Sequence, residues 1–203
     1  MFFSVVRGII RVLIFIFNGK PTYINRDKLP KDETYVLIAP HRSIIDPVFI
    51  ALAASPRQFC FMAKRELFKN KFFGWFISNL NAFPVDRDNP KPSAIKQPIK
   101  ILKENKLSLV IFPSGTRHSK ELKGGAVTIA RMSKRQIVPV VYEGPYSIKE
   151  IFQRKKAIVK IGDPFYVERK IEGIEDVNQY YSDKIQRAFE ELDQLQTEKS
   201  MPK

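Results

Sequence analysis

The 203-residue chain carries one cysteine, one tryptophan and only 21 acidic residues against 35 lysines and arginines. It also lacks any charge-free apolar run of the about 20 residues that a bilayer-spanning helix requires. A lone cysteine excludes an intramolecular disulfide and suits a reducing compartment such as the cytoplasm. Cys60 lies in the apolar run Phe59-Cys60-Phe61-Met62, which suits a buried structural thiol, because reactive thiols need electropositive, accessible surroundings. The shortage of acids leaves a net charge of +14, which draws a protein towards membranes, nucleic acid or phosphorylated metabolites without choosing among them. Against these scarcities stand 44% apolar residues, including 16 phenylalanines, enough for one packed domain and too many for a disordered chain.

The apolar residues are densest at the start, MFFSVVRGIIRVLIFIF. As a helix these seventeen residues reach about 26 Å, short of a hydrocarbon core of roughly 30 Å. Arg7 and Arg11 would sit mid-segment at about 2.5–3.5 kcal/mol each. A secretory signal would carry its charge first and end in small residues, whereas this segment runs into Phe-Asn-Gly-Lys, so cleavage is not expected. At helical spacing Ser4, Arg7, Arg11 and Asn18 share one narrow stripe and apolar side chains fill the remaining circumference. The pattern predicts residues 1–18 as an amphipathic helix sunk in one leaflet, its arginines reaching the lipid phosphates. The competing arrangement packs this helix on the protein's own core.

After Gly19, Thr34–Ala39, Gln58–Met62, Leu107–Phe112, Gln136–Val141 and Ala157–Ile161 read as strands bounded by turn formers. Pro47–Ala54, Glu66–Leu80, Ser93–Glu104 and Gly125–Ser133 read as helices, and Asp176–Lys199 as an amphipathic helix that caps a core. This alternation predicts a single α/β domain over residues 19–203, with a mostly parallel or mixed sheet flanked by helices. Active residues in such folds gather where the strands end. Three polar clusters fall there: His41 to Asp46, Asp86 with Arg87, and Ser114 to Arg117.

His41 and Asp46 stand five positions apart, on different faces of either a helix or a strand. They meet only if the chain reverses between them. A strand ending before His41 and a helix opening at Asp46-Pro47, with Asp46 as its N-cap, supply that reversal. Asp46 would then hold one ring nitrogen while the other takes a proton from an alcohol. The alternative leaves Asp46 as a helix cap and His41 as a loop residue.

His41-Arg-Ser-Ile-Ile-Asp46 resembles the H-x-x-x-x-D signature of the glycerolipid acyltransferase superfamily, and three further blocks follow in that family's order. Asn81 to Arg87 (NAFPVDR) is similar to the second, Phe112 to Arg117 (FPSGTR) to the third, F-P-E-G-T-R, and Ile137-Val138-Pro139-Val140 to the fourth. Length and apolar N-terminus suit the bacterial 1-acyl-glycerol-3-phosphate acyltransferases. The resemblance implies acyl transfer from a thioester, carried by acyl-carrier protein or coenzyme A, to the 2-hydroxyl of lysophosphatidic acid, giving phosphatidic acid. It implies His41 as general base oriented by Asp46, no acyl-enzyme, no metal and no cofactor. Arg87 and Arg117, with Lys64 as a third cation, would bind the acceptor phosphate, and the Ser114-Gly115-Thr116 turn would offer it backbone N–H groups. The expected location is the cytoplasmic face of the cell membrane, as a peripheral or monotopic protein on an anionic lipid surface. Two positions depart from the pattern: Ser114 replaces a glutamate, and Pro40 precedes His41 where asparagine is common.

The Phe-rich stretch Glu66–Leu80 admits three readings: an acyl-chain groove, a lipid-dipping helix, or plain core. A hydrolase using Ser43 or Ser114 lacks the G-x-S-x-G frame. A nucleic-acid-binding module is disfavoured because the basic residues are spread along the chain without zinc spacing or an RNP-like motif. A non-catalytic scaffold would not need both His41 and Asp46.

Overall fold

The computed structural model describes residues 2–86, 92–112 and 119–195, of which 119–123 by backbone alone. Seven strands form one mixed sheet in the order β1-β7-β6-β2-β5-β3-β4. They are β1 (Thr22–Ile24), β2 (Val36–Ile38), β3 (Phe59–Lys64), β4 (Ala82–Val85), β5 (Ser108–Ile111), β6 (Ile137–Glu143) and β7 (Ile158–Ile161). Neighbours run parallel except for β6 and β7. The five expected strands are all present. The two edge strands β1 and β4 were not expected: β1 is three residues long, and β4 contains Pro84, which only an edge tolerates well. Pro139 lies further in, where the β2 ladder ends at Ile38↔Pro139 and the β7 ladder begins at Val140↔Ile161.

The helices are α1 (Phe2–Phe17), α2 (Asp46–Ala53), α3 (Lys71–Asn79), α4 (Ser93–Lys103), α5 (Ser119–Ser133), α6 (Ile148–Phe152) and α7 (Val177–Gln194). Residues alternate across β2, so the sheet has two apolar layers. Val36 and Ile38 join the core beneath α4, α5 and α7, while Tyr35, Leu37 and Ala39 join the core beneath α1 and α2. Cys60 is buried in the first layer, and burial pushes its thiol up to about 12, as expected for a structural cysteine. The stretch 66–80 is broken rather than one helix. A 3-10 turn at Arg65–Phe68 precedes α3, and Asn70 caps α3 by accepting from the Phe73 amide at 3.0 Å. Gly74 allows the close approach, since a Cβ there would meet the Phe68 carbonyl oxygen at 3.0 Å and its Cα at 3.1 Å.

α1 keeps the expected division into a narrow polar stripe and a wide apolar face, but Arg7 does not reach outward. Arg11 of the polar stripe is exposed, whereas the other three members meet the protein: Arg7 donates to the Pro56 and Arg57 carbonyls at 3.0 and 2.8 Å. Asn18 donates to the Lys155 carbonyl at 2.9 Å, and Ser4 accepts from Gln58 at 3.3 Å. Phe3 and Ile14 are buried beside that stripe. The opposite side presents Val5, Ile9, Val12, Leu13, Phe15 and Ile16, each 47–65% exposed. Arg7 is therefore committed to carbonyls in the turn that follows α2 rather than directed outward, and the outward face is apolar. Among the described residues no helix is long and apolar enough to cross a membrane.

Candidate active site

β2 ends at Ile38, and Ala39-Pro40 carries the chain to His41 at the carboxyl edge of the parallel strands. Lys64 closes β3, Asp86 follows β4 and Phe112 follows β5 on that same edge. Parallel register aligns these ends, so residues scattered from 41 to 112 converge.

Between His41 and Asp46 the chain makes the reversal that their spacing demands. The Asp46 carboxylate is fully buried, and its Oδ2 accepts from the Arg42 amide at 2.6 Å and the Ser43 amide at 2.8 Å. His41 Nδ1 approaches the same oxygen at 3.4 Å. That contact is longer than an ordinary N–H···O bond of about 2.7–3.2 Å, and a loop shift of tenths of an ångström would close it. Asp46 is the first residue of α2 rather than its N-cap, which is Ile45. Its carboxylate binds the preceding loop instead of the first helical turn. The position still favours the charge, since a carboxylate at a helix N-terminus meets the positive end of the dipole. Burial, with the Asp46 carboxylate as a secondary contributor, pushes the neighbouring Tyr142 phenol well above its ordinary value.

The His41 ring, its side chain 37% exposed, lies 5.0 Å from the Phe112 ring and reaches into an apolar cavity of about 530 Å³. This volume falls within the range of roughly 300–1,000 Å³ usual for small-molecule sites. The walls come from α1 (Phe3, Val6, Ile10), α2 with its approach (Ile44, Val48, Leu52), β3 (Phe61, Ala63) and α3 with its C-cap (Phe73, Ile77, Leu80). The Phe-rich stretch is divided between the cavity and the surface rather than packed wholly as core. Phe73 and Ile77 line the cavity, while Phe72 and Trp75 stand outward at 78% and 56% exposure.

Lys64 also lines this cavity, with Nζ 3.8 Å from Glu66 Oε2. Arg87, Ser114, Gly115, Thr116 and Arg117 lie outside the described residues; Asp86 and Phe112, which immediately precede them or their segment, sit at the carboxyl edge. Among the described residues no group of three or more His, Cys, Asp or Glu side chains is placed to hold a metal ion. The outer supports of the site loop have no signature in the sequence. Arg42 pairs with Asp193 on α7, and Ser43 Oγ donates to the Tyr146 carbonyl at 2.7 Å. Partners 151 and 103 positions away leave no local pattern to find.

A histidine backed by a buried carboxylate, on a strand-end loop above an apolar cavity, is an arrangement suited to an enzyme acting on a hydroxyl group of a lipid. The sequence model of the acyltransferase family matches residues 20–143, and the chain belongs to that family. Within it, the chain groups with the 1-acyl-sn-glycerol-3-phosphate acyltransferases. The protein of that name from Streptococcus pneumoniae is 47% identical over 199 residues, covering 96% of this chain and 74% of that protein. Its namesake from Bacillus subtilis is 45% identical over 159 residues, covering 77% and 79%. The crystal structure of the 1-acyl-sn-glycerophosphate acyltransferase from Thermotoga maritima matches with a TM-score of 0.61 at 23% identity, over 96% of this chain and 84% of that one, a likeness of fold.

Proposed function

We propose that this enzyme transfers a fatty acyl group from a thioester donor to the 2-hydroxyl of 1-acyl-glycerol 3-phosphate, giving phosphatidic acid, with His41 as general base. The observation that carries the reading is the His41 ring at the wall of the apolar cavity with Nδ1 turned to the buried Asp46 carboxylate. With Nδ1 protonated towards Asp46, Nε2 on the other edge of the ring is the basic nitrogen. It takes the acceptor hydroxyl proton as the oxygen attacks the thioester carbonyl carbon. The carbon–sulfur bond then breaks, and the leaving thiolate takes the proton from the imidazolium. Asp46 stabilises that imidazolium and fixes its tautomer. No acyl-enzyme is needed, because the hydroxyl attacks the donor directly.

The cavity wall suits an acyl chain, since it offers almost only apolar side chains over a volume of about 530 Å³. Arg87 and Arg117, with Lys64, are proposed as the phosphate's cationic partners on the strength of the matched blocks, and Ser114-Gly115-Thr116 as the turn that contacts it. Residues 1–18 are proposed as the membrane-associating segment of a protein on the cytoplasmic face, and residues 19–203 as the acyltransferase domain. The outward apolar face of α1 supports the first part. It continues at either end into aromatic contacts, Phe2 with Trp75 of α3 at 5.8 Å between ring centroids and Phe17 with Phe152 of α6 at 5.0 Å.

The test is acyl transfer by purified protein, supplied in turn with acyl-carrier-protein and coenzyme A thioesters. Lysophosphatidic acid, glycerol 3-phosphate and a lysophospholipid bearing a larger headgroup are the acceptors. The expected outcome is phosphatidic acid from lysophosphatidic acid with at least one donor. Faster acylation of glycerol 3-phosphate or of the larger headgroup would refute the acceptor assignment, and release of free fatty acid without an acceptor would favour a hydrolase.

A further inference from the structure

The loop that carries His41 is irregular from Ala39 to Ser43. Inside, it is tied to Asp46 through the Arg42 and Ser43 amides. Its outer side is held by α7, the C-terminal helix whose sequence reads as a core cap. The Arg42 guanidinium pairs with the Asp193 carboxylate. Asp193 sits in the last turn of α7, where the negative end of the helix dipole disfavours a carboxylate, so helix stability does not account for it. Its main chain is fixed as well. The carbonyl accepts from Lys160 Nζ at 3.3 Å, and Lys160, 3% exposed on β7, is paired with Glu143 Oε2 on β6 at 2.8 Å. A continuous series of contacts thus runs from the sheet through Lys160 and Asp193 to Arg42 and the loop.

We infer that Asp193 is a positioning residue for acyl transfer: acting through Arg42, it fixes the loop so that His41 faces both Asp46 and the substrate. This inference rests on the assignment of His41 as the base. The side chains of Arg42 and Asp193 are 31% and 37% exposed, a setting in which an ion pair adds little to global stability. Its effect falls on the direction of the ring, where the His41–Asp46 contact of 3.4 Å is already at its limit.

The test compares Asp193→Ala, Arg42→Ala, the double variant, Asp193→Glu and, as a surface control on the same helix, Glu191→Ala. The readouts are kcat, acceptor KM and Tm, with His41→Ala alongside. Each alanine variant should lower kcat about fivefold, a loss of the size one partly exposed pair can supply. Acceptor KM should stay within twofold and Tm within about 3 °C. The double variant should fall no further than the weaker single, Asp193→Glu should recover most of the rate, and Glu191→Ala should match the parent. Wild-type kcat in Asp193→Ala would overturn the inference, as would multiplicative losses in the double. A rise in acceptor KM confined to Arg42→Ala would also overturn it, making Arg42 a substrate ligand. If His41→Ala is inactive while Asp193→Ala is unimpaired, the positioning role alone fails. If His41→Ala keeps its rate, the base assignment itself fails.

Discussion

Replacing Ile9 and Ile16 on the outward face of α1 with aspartate should release the protein from lipid vesicles without unfolding it. Complete burial of an aliphatic or aromatic side chain contributes about 1.5–3 kcal/mol. The six outward residues are roughly half exposed, so lipid contact leaves each about 1 kcal/mol to gain and the face about 6 kcal/mol. Removing two of them forfeits about 2 kcal/mol, a factor of roughly 30 in partitioning, before the cost of bringing two carboxylates to the interface. Sedimentation with vesicles containing anionic lipid should therefore show at least a thirtyfold weaker partition coefficient, with Tm unchanged because neither side chain packs inward. Arg7→Ala should do the opposite. It strips two carbonyls of a charged donor, a loss of about 1.5–3 kcal/mol, and should lower Tm by roughly 5 °C while vesicle binding persists. Undiminished partitioning of the double aspartate variant, or a collapse of its Tm, would refute this account of the outward face.

Three further outcomes follow from the packing. Gly74→Ala places a Cβ against the Phe68 backbone and should cost about 1–3 kcal/mol, read as a lower midpoint in urea; an unchanged midpoint would show that the 3-10 turn yields freely. Val48→Trp on α2 and Leu80→Trp at the α3 C-cap fill the cavity from two different elements and should move donor preference towards shorter acyl chains in a competition assay. An unaltered chain-length profile would place the acyl chain elsewhere. Cys60, buried and with its thiol held protonated far above the free value of about 8.5, should resist a disulfide reagent at pH 8 in the native protein and react fully in denaturant. Rapid native labelling would contradict its burial.

The sequence was most legible where the physics is local. Short β-branched and apolar runs marked the five interior strands, and the five-residue spacing of His41 and Asp46 required a turn that the fold supplies. It was least legible where partners are remote. The polar stripe of α1 was visible, but its direction was set by carbonyls at Pro56, Arg57 and Lys155, which nothing near Arg7 or Asn18 announces. β4 was obscured by Pro84, permitted only because the strand lies on the edge. The break before α3 follows from the Asn70 cap and the bare Gly74, both present in the text but outweighed there by a helical spacing of phenylalanines. The role of Asp193 depends on a contact 151 positions away.

Proton removal by His41 is read from the single-turnover rate of acyl transfer to lysophosphatidic acid in folded His41→Ala. General-base catalysis of this kind typically supplies about 10²–10⁴-fold, so the rate should fall by that factor with the acceptor still bound. A folded His41→Ala protein that transfers the acyl group at the parent rate would contradict it.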